Sequence, residues 1–135
     1  MPGNFLDTNI LVYLASGETA KADRAEQLAR AGGIISVQVL NELANVARRK
    51  LRLTWNETNE FLGLLRGLLT VVPLTTGIHD RGLALAQTHQ LSIYDAMIIA
   101  AALQADCDVL WSEDMHSGMV IEKRLHLRNP FSTPG

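Results

Sequence analysis

The sequence predicts an α/β domain, a central parallel sheet with helices on both faces. Two observations predict it. Short, wholly apolar runs alternate with longer segments of helical period, and helical crossovers between short buried strands make those strands parallel and cover the sheet. The composition agrees: 47% of residues are hydrophobic but only 5% are aromatic. The core must therefore be mostly Leu, Ile, Val and Ala, as suits helices packed on a sheet.

The elements follow in order. A strand is expected over 4–6, ending at Asp7. Residues 10–15 have helical character, cut off near Gly17. A second helix over 21–31 carries Ala22, Ala25, Leu28 and Ala29 on one face, and Gly32 and Gly33 end it. Ile34 and Ile35 form a short buried strand, and Ser36 is a natural N-cap for a helix running to about Lys50. Val39, Leu40, Leu43, Val46 and Ala47 keep its period. Thr54 and Glu57 make a capping box for a helix through Leu69. The β-branched, apolar run 70–74 reads as a strand, 78–89 as a helix, and Ser92 caps a further helix through about Gln104. Residues 108–111 form a buried strand, followed by the polar turn Ser112, Glu113, Asp114. One more short strand is expected within 119–127; Asn129 and Pro130 stop it, and the last few residues should fray.

With 135 residues and no repeat, linker or low-complexity segment, the chain reads as one domain, 1–135. A charged fraction of 19% is too low for a disordered chain. The net charge of -2 lacks the basic excess that announces nucleic acid, although a bound divalent ion would add positive charge that a residue count omits. Cys107 is the single cysteine, so no intramolecular disulfide forms. No apolar run is long enough to span a membrane, and the first residues have no basic, signal-like layout. A soluble, cytoplasmic protein is expected.

The chemistry is concentrated in acids. Asp7 follows one apolar strand and Asp114 another, so both fall at strand carboxyl ends, where open α/β sheets bind ligands. Glu42 projects from the edge of its helix's apolar stripe. Asp95 is the only acid on a helix that is apolar nearly all round, and it sits in the first turn. Each has a plainer role open to it: a cap for Asp7, a capping box with Ser92 for Asp95, a turn for Asp114, a half-exposed helix acid for Glu42. Together they fit one rim of one sheet. No Lys or Arg is adjacent to any of the four, and an all-oxygen set suits Mg2+ or Mn2+, which activate water and offset charge on a phosphoryl group.

The stretches FLDTNILVY (5–13), SVQVLNEL (36–43), SIYDAMIIAA (92–101), VLWSEDM (109–115) and the closing NPF (129–131) stand in an order that resembles the PIN-domain nucleases, specifically the VapC-like ribonuclease toxins of type II toxin–antitoxin pairs. The resemblance implies a Rossmann-like fold and Mg2+- or Mn2+-dependent endoribonuclease activity. It maps the catalytic, metal-holding quartet onto Asp7, Glu42, Asp95 and Asp114, with Asn9, Ser112 and Glu113 supporting, and leaves open whether Glu113 shares the role of Asp114. It also implies a homodimer and a small VapB-like antitoxin covering the active site. Two alternatives stand beside it. One is a non-catalytic PIN-like module that binds RNA or protein. The other is a metal-dependent phosphohydrolase of another α/β class, which Asn9 disfavours because one such class has a second Asp there.

Two basic clusters, Arg48, Arg49, Lys50 and Arg52, then Lys123, Arg124, His126 and Arg128, read as dipole-complementing or solvated faces, or as phosphate contacts. His79, His89, His116 and His126 lack zinc-ligand spacing, though His116 lies close to Asp114. Cys107, Met97, Met119, Trp55 and Trp111 are expected to pack rather than react.

Overall fold

Residues 3–131 are described by the structure, a computed structural model. The fraying expected of the last few residues lies outside the described residues. Strands β1 (Gly3–Leu6), β2 (Ile34–Ser36), β3 (Thr70–Val72), β4 (Cys107–Trp111), β5 (Val120–Ile121) and β6 (Leu125–Arg128) form one sheet in the order β3-β2-β1-β4-β6-β5. Every pairing is parallel except that of β5 with β6. Helices α1 (Thr8–Ser16) and α2 (Thr19–Arg30) join β1 to β2, and α3 (Val37–Arg49) and α4 (Trp55–Leu68) join β2 to β3. The return to β4 runs through α5 (Thr76–His89) and α6 (Ile93–Gln104).

Right-handed crossovers stepping outward from β1 to β3 lay α1 to α4 on one face, and the opposite step back to β4 lays α5 and α6 on the other. The helix contacts agree: α1 to α4 pack among themselves, and α5 packs on α6. The chain leaves β1 toward one side of the sheet and β4 toward the other. That reversal opens a crevice between their carboxyl ends.

The core follows the predicted pattern. Phe5, Leu6, Ile35 and Leu110 are fully buried in the sheet, and α6 is buried from Ala96 through Leu103. Its alanines and a glycine opposite let helices approach closely. A Cβ on Gly82 of α5 would lie 2.5 Å from Met97 Sδ and 3.4 Å from Met97 Cα. Thr54 and Glu57 do form the reciprocal capping box of α4. Ser36 takes the N-cap position of α3, but its hydroxyl makes no cap bond and is buried without a partner.

Two expectations are corrected. The strand read over 70–74 stops at Val72, because Pro73 has no N–H to continue the ladder. The single strand expected within 119–127 is a hairpin, which places an antiparallel edge on the otherwise parallel sheet. Its turn has Glu122 and Lys123 at φ 53° and 61°, closed by Arg124 N–H donating to the Ile121 carbonyl at 3.1 Å. Positive φ at both central residues is the habit of type I′ turns, which usually advertise themselves through Asn or Gly. Glu-Lys carries no such signal. No helix among the described residues is long and apolar enough to cross a membrane.

Candidate active site

The crevice between β1 and β4 receives Asp7 from one strand and the turn 112–114 from the other. Asp7 is the N-cap of α1, its Oδ1 accepting from the Thr8 N–H at 2.7 Å. The cap and site roles thus fall on the same side chain. Its Oδ2 accepts from the Ser112 hydroxyl at 2.7 Å and from the Asn9 amide at 3.3 Å. Asn9 Oδ1 accepts from the Glu113 N–H at 3.0 Å, and Ser112 Oγ accepts from the Asp114 N–H at 3.3 Å. These bonds tie the start of α1 to the turn that carries Asp114.

Glu42 arrives from α3, held at both oxygens. The Thr8 hydroxyl donates to Oε1 at 2.5 Å, and Gln38 Nε2 donates to Oε2 at 3.2 Å. Gln38 also donates to the Tyr94 carbonyl at 3.1 Å, fixing α3 against the first turn of α6. Asp95 sits in that first turn. Ser92 Oγ accepts from the Asp95 N–H at 3.2 Å, but the reciprocal bond that would complete a capping box is not formed. Asp7, Glu42, Asp95 and Asp114 line one cavity of about 520 Å³, together with Glu113 and Lys50.

Burial and mutual repulsion mark the electrostatics. Asp7 is 6% exposed, and its pKa is pushed up to about 6. Burial is the main cause, opposed by the Ser112 and Thr8 bonds and reinforced by the charges of Glu42 and Asp95. Asp95 is also raised, first by partial burial, against the nearby Ser92 hydroxyl, then by Asp114 and Glu42. Among the described residues no three acidic, His or Cys side chains converge into a ready-made ion cage. The donor chemistry nonetheless fits a hard divalent cation. All four groups are carboxylates on one cavity, and a cation among them would relieve the repulsion that raises Asp7 and Asp95.

Glu113 is engaged elsewhere. Tyr13 Oη donates to its Oε1 at 2.6 Å and Lys21 Nζ to its Oε2 at 2.7 Å. Partial burial would raise its pKa, but the bonds from Lys21 and Tyr13 outweigh that and hold it below the usual range. Lys21 also lies 4.8 Å from the Tyr13 ring centre and 5.3 Å from that of Phe131. Sequence reasoning missed Thr8, Tyr13, Lys21 and Gln38. Gln38 was findable, since it stands one helical turn before Glu42. Lys21 was not, because its partner is far away in the chain.

The other singled-out residues divide. In the first basic cluster Arg48 is structural: its guanidinium lies 4.2 Å from the Trp55 ring centre and donates to the Leu53 carbonyl at 2.7 Å. Trp55 is 64% exposed, so apart from that stack it is not the packing residue expected. Arg124 of the second cluster bonds Asp106 and the Leu103 carbonyl. Cys107 and Met97 are buried, Met119 packs against the core, and burial raises the Cys107 thiol to about 11. His116 is exposed near the turn.

A family model described as PIN domain matches residues 5–116. No curated protein matches the chain in sequence. Among solved structures, the chain resembles one from a toxin–antitoxin complex of Klebsiella pneumoniae, at TM-score 0.74 and 22% identity, over 97% of this chain and 100% of that one. It also resembles Mycobacterium tuberculosis VapC20, a sarcin–ricin-loop-cleaving toxin, at TM-score 0.70 and 18% identity, over 90% and 99% of the two chains. A third likeness is to VapBC2 of Rickettsia felis, solved bound to a promoter DNA fragment, at TM-score 0.69 and 21% identity, over 93% and 97%. At these identities the likeness is one of fold.

Proposed function

The chain belongs to the PIN domain family, and on that premise we propose that it is a divalent-metal-dependent endoribonuclease, the toxin of a toxin–antitoxin pair acting in the cytoplasm. The observation that carries the proposal is the convergence of Asp7, Glu42, Asp95 and Asp114 on one cavity at the switch point of the sheet. Similarity in fold to VapC20 and to chains from toxin–antitoxin complexes supports it.

In this proposal Asp7, Asp95 and Asp114 hold Mg2+ or Mn2+, with Glu42 as a further ligand or the group that orients the attacking water. The bound ion supplies Lewis acidity, which offsets charge at the scissile phosphate and makes water a better nucleophile at neutral pH. The chain supplies position. Ser112 and Asn9 fix Asp7 Oδ2, while Thr8 and Gln38 fix both oxygens of Glu42, so neither carboxylate must be ordered at the moment of reaction. Expected partners are RNA as substrate, a second copy of the chain, and a small VapB-like antitoxin over the active site.

The test uses the purified chain, free of partner, with labelled structured and single-stranded RNAs. Cleavage should require Mg2+ or Mn2+, stop with chelator, and vanish in a folded Asp95→Asn variant. Ion-independent cleavage, or full activity in the variant, would sink the assignment. One observation favours a second reading, a non-catalytic PIN-like binding module: no three of the acids form a ready-made cage. Binding of RNA without any cleavage in either ion would select it.

A further inference from the structure

A second cavity, of opposite character to the acidic crevice and about 620 Å³, is lined by Arg24, Trp111, His126, Arg128 and the turn around Asn129. No Asp or Glu lines it. Strand β6 explains its charge. Leu125 and Leu127 are buried on one face, so His126 and Arg128 alternate onto the other, where they are exposed. Trp111 is the register partner of Arg128 on the neighbouring strand, so indole and guanidinium share that face. Arg24 closes the cavity from α2, 5.4 Å from the Trp111 ring centre. Its Nε donates to the Pro130 carbonyl at 3.3 Å and its Nη1 to Gln27 at 3.4 Å. Neither Arg24 nor Arg128 pairs with a carboxylate among the described residues.

The two cavities share no lining residue, but the chain passes from one to the other at the end of β4. Trp111 lines the basic one, and the next residue, Ser112, bonds Asp7 in the acidic one. Arg24 likewise stands one turn along α2 from Lys21, which holds Glu113 in the acidic wall. A polyanion crossing the acidic crevice needs cationic anchorage, and a chain with net charge -2 offers little of it in general. We propose that the Arg24–His126–Arg128 cavity binds a backbone phosphodiester of the RNA substrate, flanking the one that is cut. Its planar guanidiniums suit phosphate oxygens, and it holds the strand without reading bases. The proposal rests on the ribonuclease reading for its substrate.

Binding can be tested apart from cleavage. The full chain is titrated, in chelator, into a fluorescently labelled single-stranded oligoribonucleotide across a salt series, with anisotropy as readout. Arg128→Gln should weaken binding several-fold and lower the slope of log Kd against log salt by about 0.7, one single-strand phosphate contact. Arg24→Gln with Arg128→Gln should do more. Arg30→Gln, which removes an equal charge elsewhere on α2, should leave binding near wild type, and melting curves check that the variants fold. Where cleavage is seen, Arg128→Gln should raise KM and spare kcat. Equal losses in Arg30→Gln and Arg128→Gln would overturn the proposal, as would unchanged RNA affinity in the double variant, which would leave the cavity to an acidic protein segment. Arg128-sensitive binding without cleavage in Mg2+ or Mn2+ would defeat the ribonuclease assignment and leave the phosphate site standing.

Discussion

Asp7 joins a cap, a metal-ligand candidate and a buried charge in one side chain, and that combination has a measurable cost. Its folded pKa, about 6, lies above the unfolded value of 3.8, so the folded state holds the proton more tightly. The group therefore favours folding most below pH 3.8, and its contribution declines as pH rises through 6. Asp7→Asn should then gain roughly 1–2 kcal/mol of stability at pH 7 in chelator. The gain should disappear near pH 4, read from melts at both pH values, while RNA cleavage is lost. A variant less stable than wild type at pH 7 would mean that the cap and Ser112 bonds outweigh the cost of burying the charge. Lys21 acts at one remove, through Glu113 and the turn that carries Asp114. Lys21→Met should cost little stability, since the pair is partly exposed and screened by solvent. It should weaken Mn2+ affinity more than it lowers the melting temperature. Unchanged Mn2+ affinity would confine Lys21 to a structural role.

At the scale of elements, legibility tracked how local the physics was. The capping box of α4 was visible because Thr54 and Glu57 satisfy each other's backbone within one turn. The apolar stretch of α6 from Ala96 through Leu103 could only be buried. The β5–β6 hairpin was not legible, because Glu122 and Lys123 take left-handed backbone without the residues that prefer it. That strain predicts a gain: Lys123→Gly should stabilise the protein by about 0.5–1 kcal/mol in denaturant unfolding. A loss would show that the Lys123 side chain contributes more than its backbone costs. The cap expected at Ser36 was half right. The residue stands at the N-cap, but its hydroxyl makes no bond there.

For the molecule as a whole, the sheet order matters more than any one helix, because it brings the ends of β1 and β4 side by side. If the crevice binds a divalent ion in the native state alone, the ion should raise the melting temperature. At tenfold excess over its dissociation constant, the stabilisation is about 1.4 kcal/mol, roughly 5 °C for a domain of this size. The shift should be present at pH 7.5, shrink at pH 5 as Asp7 takes up its proton, and vanish in Asp95→Asn. An equal shift at both pH values would place the ion somewhere other than at Asp7.

Local pattern was enough for the alternation of strands and helices, the buried stretch of α6 and the placing of the acids at strand ends and early helical turns. Those features are written in nearest-neighbour and one-turn patterns, where hydrophobic period and capping act within a few residues. Folding in three dimensions was needed for Ser112 to bond Asp7, for Lys21 to claim Glu113, and for Arg24 and Arg128 to line one cavity. Each joins residues far apart in the chain, and long-range partners are set by strand order and crossover handedness, which no local spacing records.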